Sequence, residues 1–318
     1  MIGAVEGSES DAARIGLLAR IKALAAVAVG FEKAVGRMQV GGLANLFAGR
    51  LYKRLGLEGL GLQEAFEKLN NETVFRMDTY TGWGGLVRDE SGEKAFYLIG
   101  RECPVRQILY QEELPAGCAL CRLMMRFLER VFREKLGGMY RVCLRRYGPN
   151  ACLLRVGIVR GQEPPASFSL ESREPSLDEY IEKLRIMYDE MLHALSDALY
   201  MVLGGNAAMS YRMGKAYGAI DGRHILANFG STMSLEEAIS VVNESLRVLV
   251  RLVKEDDGLR LERSIFHDIV EGLGIRHPEA VYYAVQGYIA GILSTLTGRN
   301  IDLRLVDLAS RRYKIYVR

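Results

Sequence analysis

The sequence carries almost no excess of either charge. Its 42 Lys and Arg against 39 Asp and Glu leave a net charge of +3 over 318 residues. No run of five or more basic residues occurs, so nothing marks a nucleic-acid partner. Histidine is scarce: His193, His224, His267 and His277 are the only four. None is paired with a second His or a Glu in a helical metal-binding pattern, so they read as surface or core side chains. A phosphate loop, a dinucleotide fingerprint and a nucleophile triad are all missing. Gly59-x-Gly61 lacks a third glycine and does not follow a strand. The first residues carry Glu6, Glu9 and Asp11, where a secretory signal would be basic and then apolar. With five cysteines and no dense disulfide spacing, a reducing cytoplasm is the expected setting. The one uncharged stretch of spanning length is Ala280 to Gly298. It holds Gln286, Ser294, Thr295 and Thr297 and reads as a buried helix of a soluble protein, not a membrane span.

What is present is a repeat, and a repeat constrains architecture before any local motif does. Leu62-Gln63-Glu64-Ala65-Phe66-Glu67-Lys68-Leu69-Asn70 answers to Leu235-Glu236-Glu237-Ala238-Ile239-Ser240-Val241-Val242-Asn243. Gly41-Gly42 with the helix to Gly56 answers to Gly204-Gly205 with the helix to Gly218. Cys121 to Val156 overlays Tyr282 to Val317 without a gap, at an offset of 161 residues. All five cysteines fall in the first copy and all four histidines in the second, which suggests divided labour. Three of the seven prolines, Pro164, Pro165 and Pro175, mark a linker. The expected division is a cysteine-bearing copy at 1–160, a linker at 161–179 and a cysteine-free copy at 180–318.

Each copy reads as helices first, then a hairpin, a long helix and a second hairpin. In copy one the helices cover 10–38, the stretch to Leu55, and Leu62–Asn70. Strands follow at Val74–Tyr80 and Glu93–Glu102, with turns at Gly84-Gly85 and Asp89–Gly92. A helix over Cys118–Leu136 precedes strands at Met139–Tyr147 and Ala151–Val159, joined by Gly148-Pro149-Asn150. In copy two the helices are Tyr180–Val202, Ala207–Tyr217 and Ser234–Asn243, the last with a capping box. Strands at Leu246–Val253 and Leu259–Phe266, a helix over Ala280–Leu296, and strands at Ile301–Leu308 and Arg311–Val317 complete it. This is an α+β fold of two tandem antiparallel sheets covered by helices. The second copy's long helix is apolar all round and should be covered on all sides; the first copy's is charged and should face water on one.

The tail of each copy resembles the 4-vinyl reductase domain, related in fold to TRAPP vesicle-tethering subunits and haem-nitric-oxide-binding domains. Cys121 matches that family's helix-opening Cys, Gly137 and Gly148 its later glycines and Cys152 its final Cys. Gly287, Gly291 and Gly298 match its helix glycines in copy two. The sequence departs from the pattern at Arg126 and Arg130, which replace helix glycines. It departs again at Leu144, where the hairpin Cys is expected and the thiol is one residue away at Cys143. The resemblance implies a pocket for small hydrophobic molecules between helices and sheet, and a metal held through cysteines.

Cys103, Cys118, Cys121, Cys143 and Cys152 form the one metal-like constellation. Zinc takes four soft ligands, and Cys118-x-x-Cys121 has a spacing used in such sites. Small buried hydrophobes and a redox pair are the other readings of the same thiols. His267 and His277 flank the loop matching the cysteine loop, so a shared site is conceivable. Gly287-x-x-x-Gly291 allows close approach of another helix. It suits either packing within one copy or a contact between copies or between chains, lined by Tyr282, Tyr283 and Tyr288. Arg141, Arg145 and Arg146 read as a solvated strand face. The sequence thus points to a non-catalytic protein that binds a small apolar ligand, with zinc at the cysteines and homo-oligomerisation both open. The alternative is a scaffold subunit of a larger assembly with a protein partner and no ligand.

Overall fold

In each half of the chain a sheet of four principal strands is laid down in the same order, first, second, fourth, third. The computed structural model describes residues 9–79, 87–88, 92–148, 151–163, 175–256, 258–307 and 311–317. The first half runs α1 (Glu9–Val35), α2 (Val40–Arg54), α3 (Leu62–Glu72), β1 (Arg76–Thr79), β2 (Val87–Arg88), β3 (Lys94–Glu102), α4 (Pro104–Gln111), α5 (Ala119–Leu136), β4 (Gly138–Tyr147) and β5 (Cys152–Gly161). The second runs α6 (Leu177–Leu203), α7 (Ala207–Ala227), α8 (Leu235–Ser245), β6 (Val250–Lys254), β7 (Gly258–Ser264), α9 (Ile265–Gly272), α10 (Glu279–Thr297), β8 (Ile301–Asp307) and β9 (Arg312–Val317). The sheets are ordered β1-β3-β5-β4, with the two-residue β2 also on β3, and β6-β7-β9-β8; all pairs are antiparallel. The α+β class is therefore as expected. The turns expected at Gly84-Gly85, Asp89–Gly92 and Gly148-Pro149-Asn150, and most of the linker, lie largely outside the described residues.

Local chemistry explains the shared pattern. Ser234 caps α8: its hydroxyl accepts the Glu237 N–H at 3.2 Å, and the Glu237 carboxylate accepts the Ser234 N–H at 2.8 Å. The matching helix α3 keeps half of that box, with Glu64 accepting the Gly61 N–H at 2.7 Å. Asn243 at the end of α8 acts as a strand surrogate beside the edge strand β6. Its amide donates to the Leu252 carbonyl at 2.8 Å and accepts the Leu252 N–H at 2.7 Å. This occupies backbone groups that an edge would otherwise offer to another chain.

Two helices were not expected: α4 and α9. Both follow a strand directly, and their first residues, Pro104 and Ile265, again lie 161 apart. Helix α7 runs ten residues past the expected end at Tyr217, to Ala227. Gly218, which stood at that expected end, lies inside the helix with Gly214 and Gly222, and all three are contacts. A Cβ on Gly214 or Gly218 would overlap the carbonyl oxygen of Ala284 or Tyr288 on α10. Strand β6 starts at Val250 where Leu246 was expected, because 246–249 form turns.

The chain divides into two compact units along a different line from the sequence repeat. The first unit is Met38–Ala198; the second is Met1–Arg37 with Leu199–Arg318. The first helix of each repeat thus packs in the unit built by the rest of the other. In the first unit α6 meets α4 through Tyr188, whose hydroxyl donates to the Pro104 carbonyl at 2.9 Å, and meets α2 through the Arg54–Glu190 ion pair. In the second unit α1 meets α7 through Lys22–Asp221 at 2.8 Å. The boundary expected at 161–179 marks the repeat and not these units. A helix's apolar pattern shows that a face is buried, not which sheet it is buried against.

In the second unit α10 is buried along most of its surface, from Ala280 and Val281 to Leu296 and Thr297, with Tyr282, Tyr283, Ser294 and Thr295 half-buried. The extra cover expected for it comes from α7 and α1. Helix α5 in the first unit buries Leu123, Phe127 and Val131 and exposes Arg126, Arg133 and Glu134. No helix among the described residues is long and apolar enough to cross a membrane.

Candidate functional site

Four of the five cysteines gather at one place in the first unit. Cys103 is the N-cap of α4, extended at φ −142° and ψ 121°, and Pro104 follows at the first helical position. Cys118 is the N-cap of α5, and Cys121 sits in that helix's first turn. Cys152 opens β5. Cys103, Cys121 and Cys152 line a single cavity of about 40 Å3. The Cys118 and Cys121 thiols hydrogen-bond to each other at its rim.

The rest of the lining is almost wholly apolar. Met77, Leu109, Met124, Met125, Leu128 and Leu144 supply most of it. One cation enters: Arg106, on α4 one turn after Cys103, is 6% exposed. Its guanidinium donates to the Gly100 carbonyl at 3.2 Å and to the Arg101 carbonyl, and also hydrogen-bonds Cys152. Tyr147 closes one side, its ring stacked on Tyr110 with centroids 5.8 Å apart.

Three of the thiols are held protonated. Burial pushes Cys103 up to about 11. Donation of the Cys121 thiol to Cys118, followed by burial, raises Cys121 well above its ordinary value. Burial raises Cys152 against the opposing pull of Arg106. Such thiols are poor nucleophiles at neutral pH.

Cys143 does not join the group. On β4, Val142 and Leu144 face the helices, so Cys143 between them faces the other side of the sheet, next to Arg155 on β5. Among the described residues no group of three or more His, Cys, Asp or Glu is arranged to hold a metal ion. The thiols are therefore neighbours, not a closed coordination sphere.

The second unit has the same place with other residues. At the same offset of 161, Cys103 becomes Ser264, Arg106 becomes His267, Cys121 becomes Tyr282 and Cys152 becomes Tyr313. Ser264 Oγ lies 2.8 Å from His267 Nδ1, and the His267 ring stacks on Tyr282 with centroids 4.8 Å apart. His267 is 1% exposed, and its Nε2 has no hydrogen-bond partner among the described residues. Burial, followed by Arg311, pushes its pKa down to about 4. His277 stacks on Tyr200 instead, so the two histidines do not share a site.

The five residues read as an interface separate into different surroundings. Gly287 and Gly291 lie against α7 of their own unit, where a Cβ would overlap the carbonyl oxygens of Tyr211 and Lys215. Their close approach is thus made within the unit, where the alternative reading placed it between copies or chains. Tyr288 is buried, stacked on Tyr217, and donates to Asp221 at 2.7 Å. Tyr282 covers His267, and Tyr283 lines an open groove beside β8.

Sequence reasoning missed Arg106 and the methionines. Only the helix that carries Arg106 had a signal: Cys-Pro as N-cap and first residue, then Val105, Ile108 and Leu109 at helical spacing. No protein family, curated protein or solved structure matches the chain.

Proposed function

We propose that the chain is a non-catalytic binding protein of the 4-vinyl reductase type, and that its first unit takes a small apolar molecule at the thiol-lined cavity. One observation carries this reading: apolar side chains from α4, α5 and the sheet converge there with three thiols and a single buried cation. The space of about 40 Å3 admits little more than a water molecule or two. Ligand entry therefore requires side chains to move. Met77, Met124 and Met125 suit that, being unbranched and easily rearranged.

Zinc is the second part of the proposal. Cys103, Cys118, Cys121 and Cys152 are the soft donor set it prefers, and four thiolates would leave a net negative site that Arg106 offsets. Metal binding would expel the thiol protons and draw the side chains together. The small cavity favours one competing reading, a scaffold subunit with a filled core, because ligand pockets usually enclose roughly 300 Å3 or more.

The test uses toluene as the apolar probe and zinc as the metal, each added to the full chain. Toluene should raise the unfolding temperature, and Met125→Trp should abolish that rise. Zinc should bind at one equivalent, lost in Cys121→Ser. If toluene binds nowhere, the apolar-ligand reading fails and the scaffold reading stands. If zinc binding is indifferent to Cys121→Ser, the metal reading fails.

A further inference from the structure

The second unit contains a larger opening whose chemistry is different. Helices α7 and α10 and the edge strand β8 bound a groove of about 740 Å3. This lies within the range of roughly 300–1,000 Å3 that small-molecule sites occupy.

Part of its lining is committed to the fold. The Leu303 N–H donates to the Tyr211 hydroxyl at 3.0 Å, and Gln286 Nε2 donates to the Leu303 carbonyl at 2.6 Å. These bonds seal the outward backbone groups of the edge strand at its centre. Lys215 is also committed: its ammonium donates to Asp302 at 2.6 Å, Asn300 at 2.8 Å and the Ile301 carbonyl at 2.8 Å. Its charge is answered by Asp302.

Arg212, Arg304 and Tyr283 are not committed. Among the described residues none of their side chains makes a hydrogen bond, ion pair or ring contact. Both guanidiniums are exposed and Tyr283 is half-buried. Ala207, Ala208 and Leu305 give the groove an apolar wall. A guanidinium is a planar fork that binds carboxylate, phosphate or sulfonate through paired hydrogen bonds, and a tyrosine face accepts a flat apolar ring.

We infer that this groove binds a small organic anion: a flat apolar body carrying one or two acidic groups. The acid faces Arg212 and Arg304, and the body lies against Tyr283 and the apolar wall. Arg212 answers to Arg50 of the first repeat, but the rest of the site is particular to the second. At the equivalent positions of the first, Tyr283 is Arg122, Gln286 is Met125 and Arg304 is Cys143.

Anilinonaphthalene sulfonate has this chemistry and reports binding by its own fluorescence. One molecule should bind per chain, more weakly as salt rises. Arg212→Ala and Arg304→Ala should each weaken binding about tenfold, the loss of one charge-assisted pair. Tyr283→Ala should weaken it and Tyr283→Phe should not. Arg251→Ala, which removes an exposed cation on β6 of the same unit, should change nothing. Binding that survives the double arginine variant unchanged overturns the inference. If Met125→Trp abolishes binding while the double variant does not, the probe sits in the thiol-lined cavity. The inference then falls and the proposal for the first unit stands.

Discussion

Replacing Gly218 with alanine should cost the second unit about 2 kcal/mol, against the usual effect of that change in a helix. In an open helix, Gly→Ala stabilises by roughly 0.5–1 kcal/mol, through chain entropy alone. At Gly218 the new Cβ would overlap the Tyr288 carbonyl oxygen, and would lie 2.8 Å from its carbon and 2.9 Å from its Cα. The obstacle is backbone, so no rotamer change relieves it, and α7 and α10 must move apart. Forcing a methyl group into a packed core costs about 1–3 kcal/mol, and a backbone obstacle belongs at the upper end. Subtracting the helix gain leaves roughly 2 kcal/mol. In a unit of this size that lowers the midpoint by about 4–8 °C.

The control is Gly49→Ala on α2, in the first unit. Nothing lies within 4 Å of its added Cβ, so stability should rise by roughly 0.5–1 kcal/mol. Urea unfolding of both variants, followed by circular dichroism, gives the two changes. If Gly218→Ala is as stable as the parent or more so, the two helices are not in backbone contact, and the close crossing of α7 and α10 is refuted.

Three further outcomes follow from named groups. His267 is neutral and buried, with a pKa near 4 against about 6.5 when unfolded, so unfolding takes up a proton as pH falls. Its contribution is complete above about pH 6.5 and is lost progressively towards pH 4, by about 3 kcal/mol at most. His267→Asn should flatten the stability–pH curve in that window, and an unchanged slope would remove His267 as its source. Asp221 accepts from Lys22 at 2.8 Å and from Tyr288 at 2.7 Å, so Asp221→Ala should destabilise by about 3 kcal/mol in urea unfolding. A loss below about 1 kcal/mol would show the pair to be solvent-screened. The protonated thiols of Cys103, Cys121 and Cys152 should resist iodoacetamide at pH 7.5 in native protein and react on unfolding. Peptide mass mapping decides this, and rapid native labelling of Cys121 would contradict its burial and its bond to Cys118.

Periodicity in the sequence located most helices and strands because their apolar faces are long. It missed α4 and α9, which span about two turns each and follow a strand with no turn residue between. It cut α7 short because a glycine looks the same in sequence whether it breaks a helix or admits a neighbour. It placed α1 and α6 with their own repeats because burial patterns carry no address. Of the five cysteines grouped by sequence, Cys103, Cys121 and Cys152 line one cavity, with Cys118 hydrogen-bonded to Cys121. Cys143 was included because sequence distance along a hairpin does not show which face a bulged strand presents. Arg106 was invisible because a buried arginine looks like any surface arginine until its carbonyl partners are known.

The two repeats differ most where they are most equivalent. Between the short helix, the long helix and the sheet, the first has Cys103, Arg106, Cys121 and Cys152, and the second has Ser264, His267, Tyr282 and Tyr313. Thiols are small, so in the first unit this layer keeps a cavity. In the second unit Tyr282 lies flat on His267, and Tyr313 is 3% exposed. Aromatic rings stand there in place of two thiols. One scaffold thus leaves a small apolar space in one repeat and a packed aromatic layer in the other. A pair of changes tests whether side-chain bulk alone makes that difference. Cys121→Tyr with Cys152→Tyr should fill the first unit's cavity and end its toluene response without unfolding it. The large rings already present at the matching places show that the scaffold accommodates them. A double variant that still responds to toluene would place the ligand elsewhere.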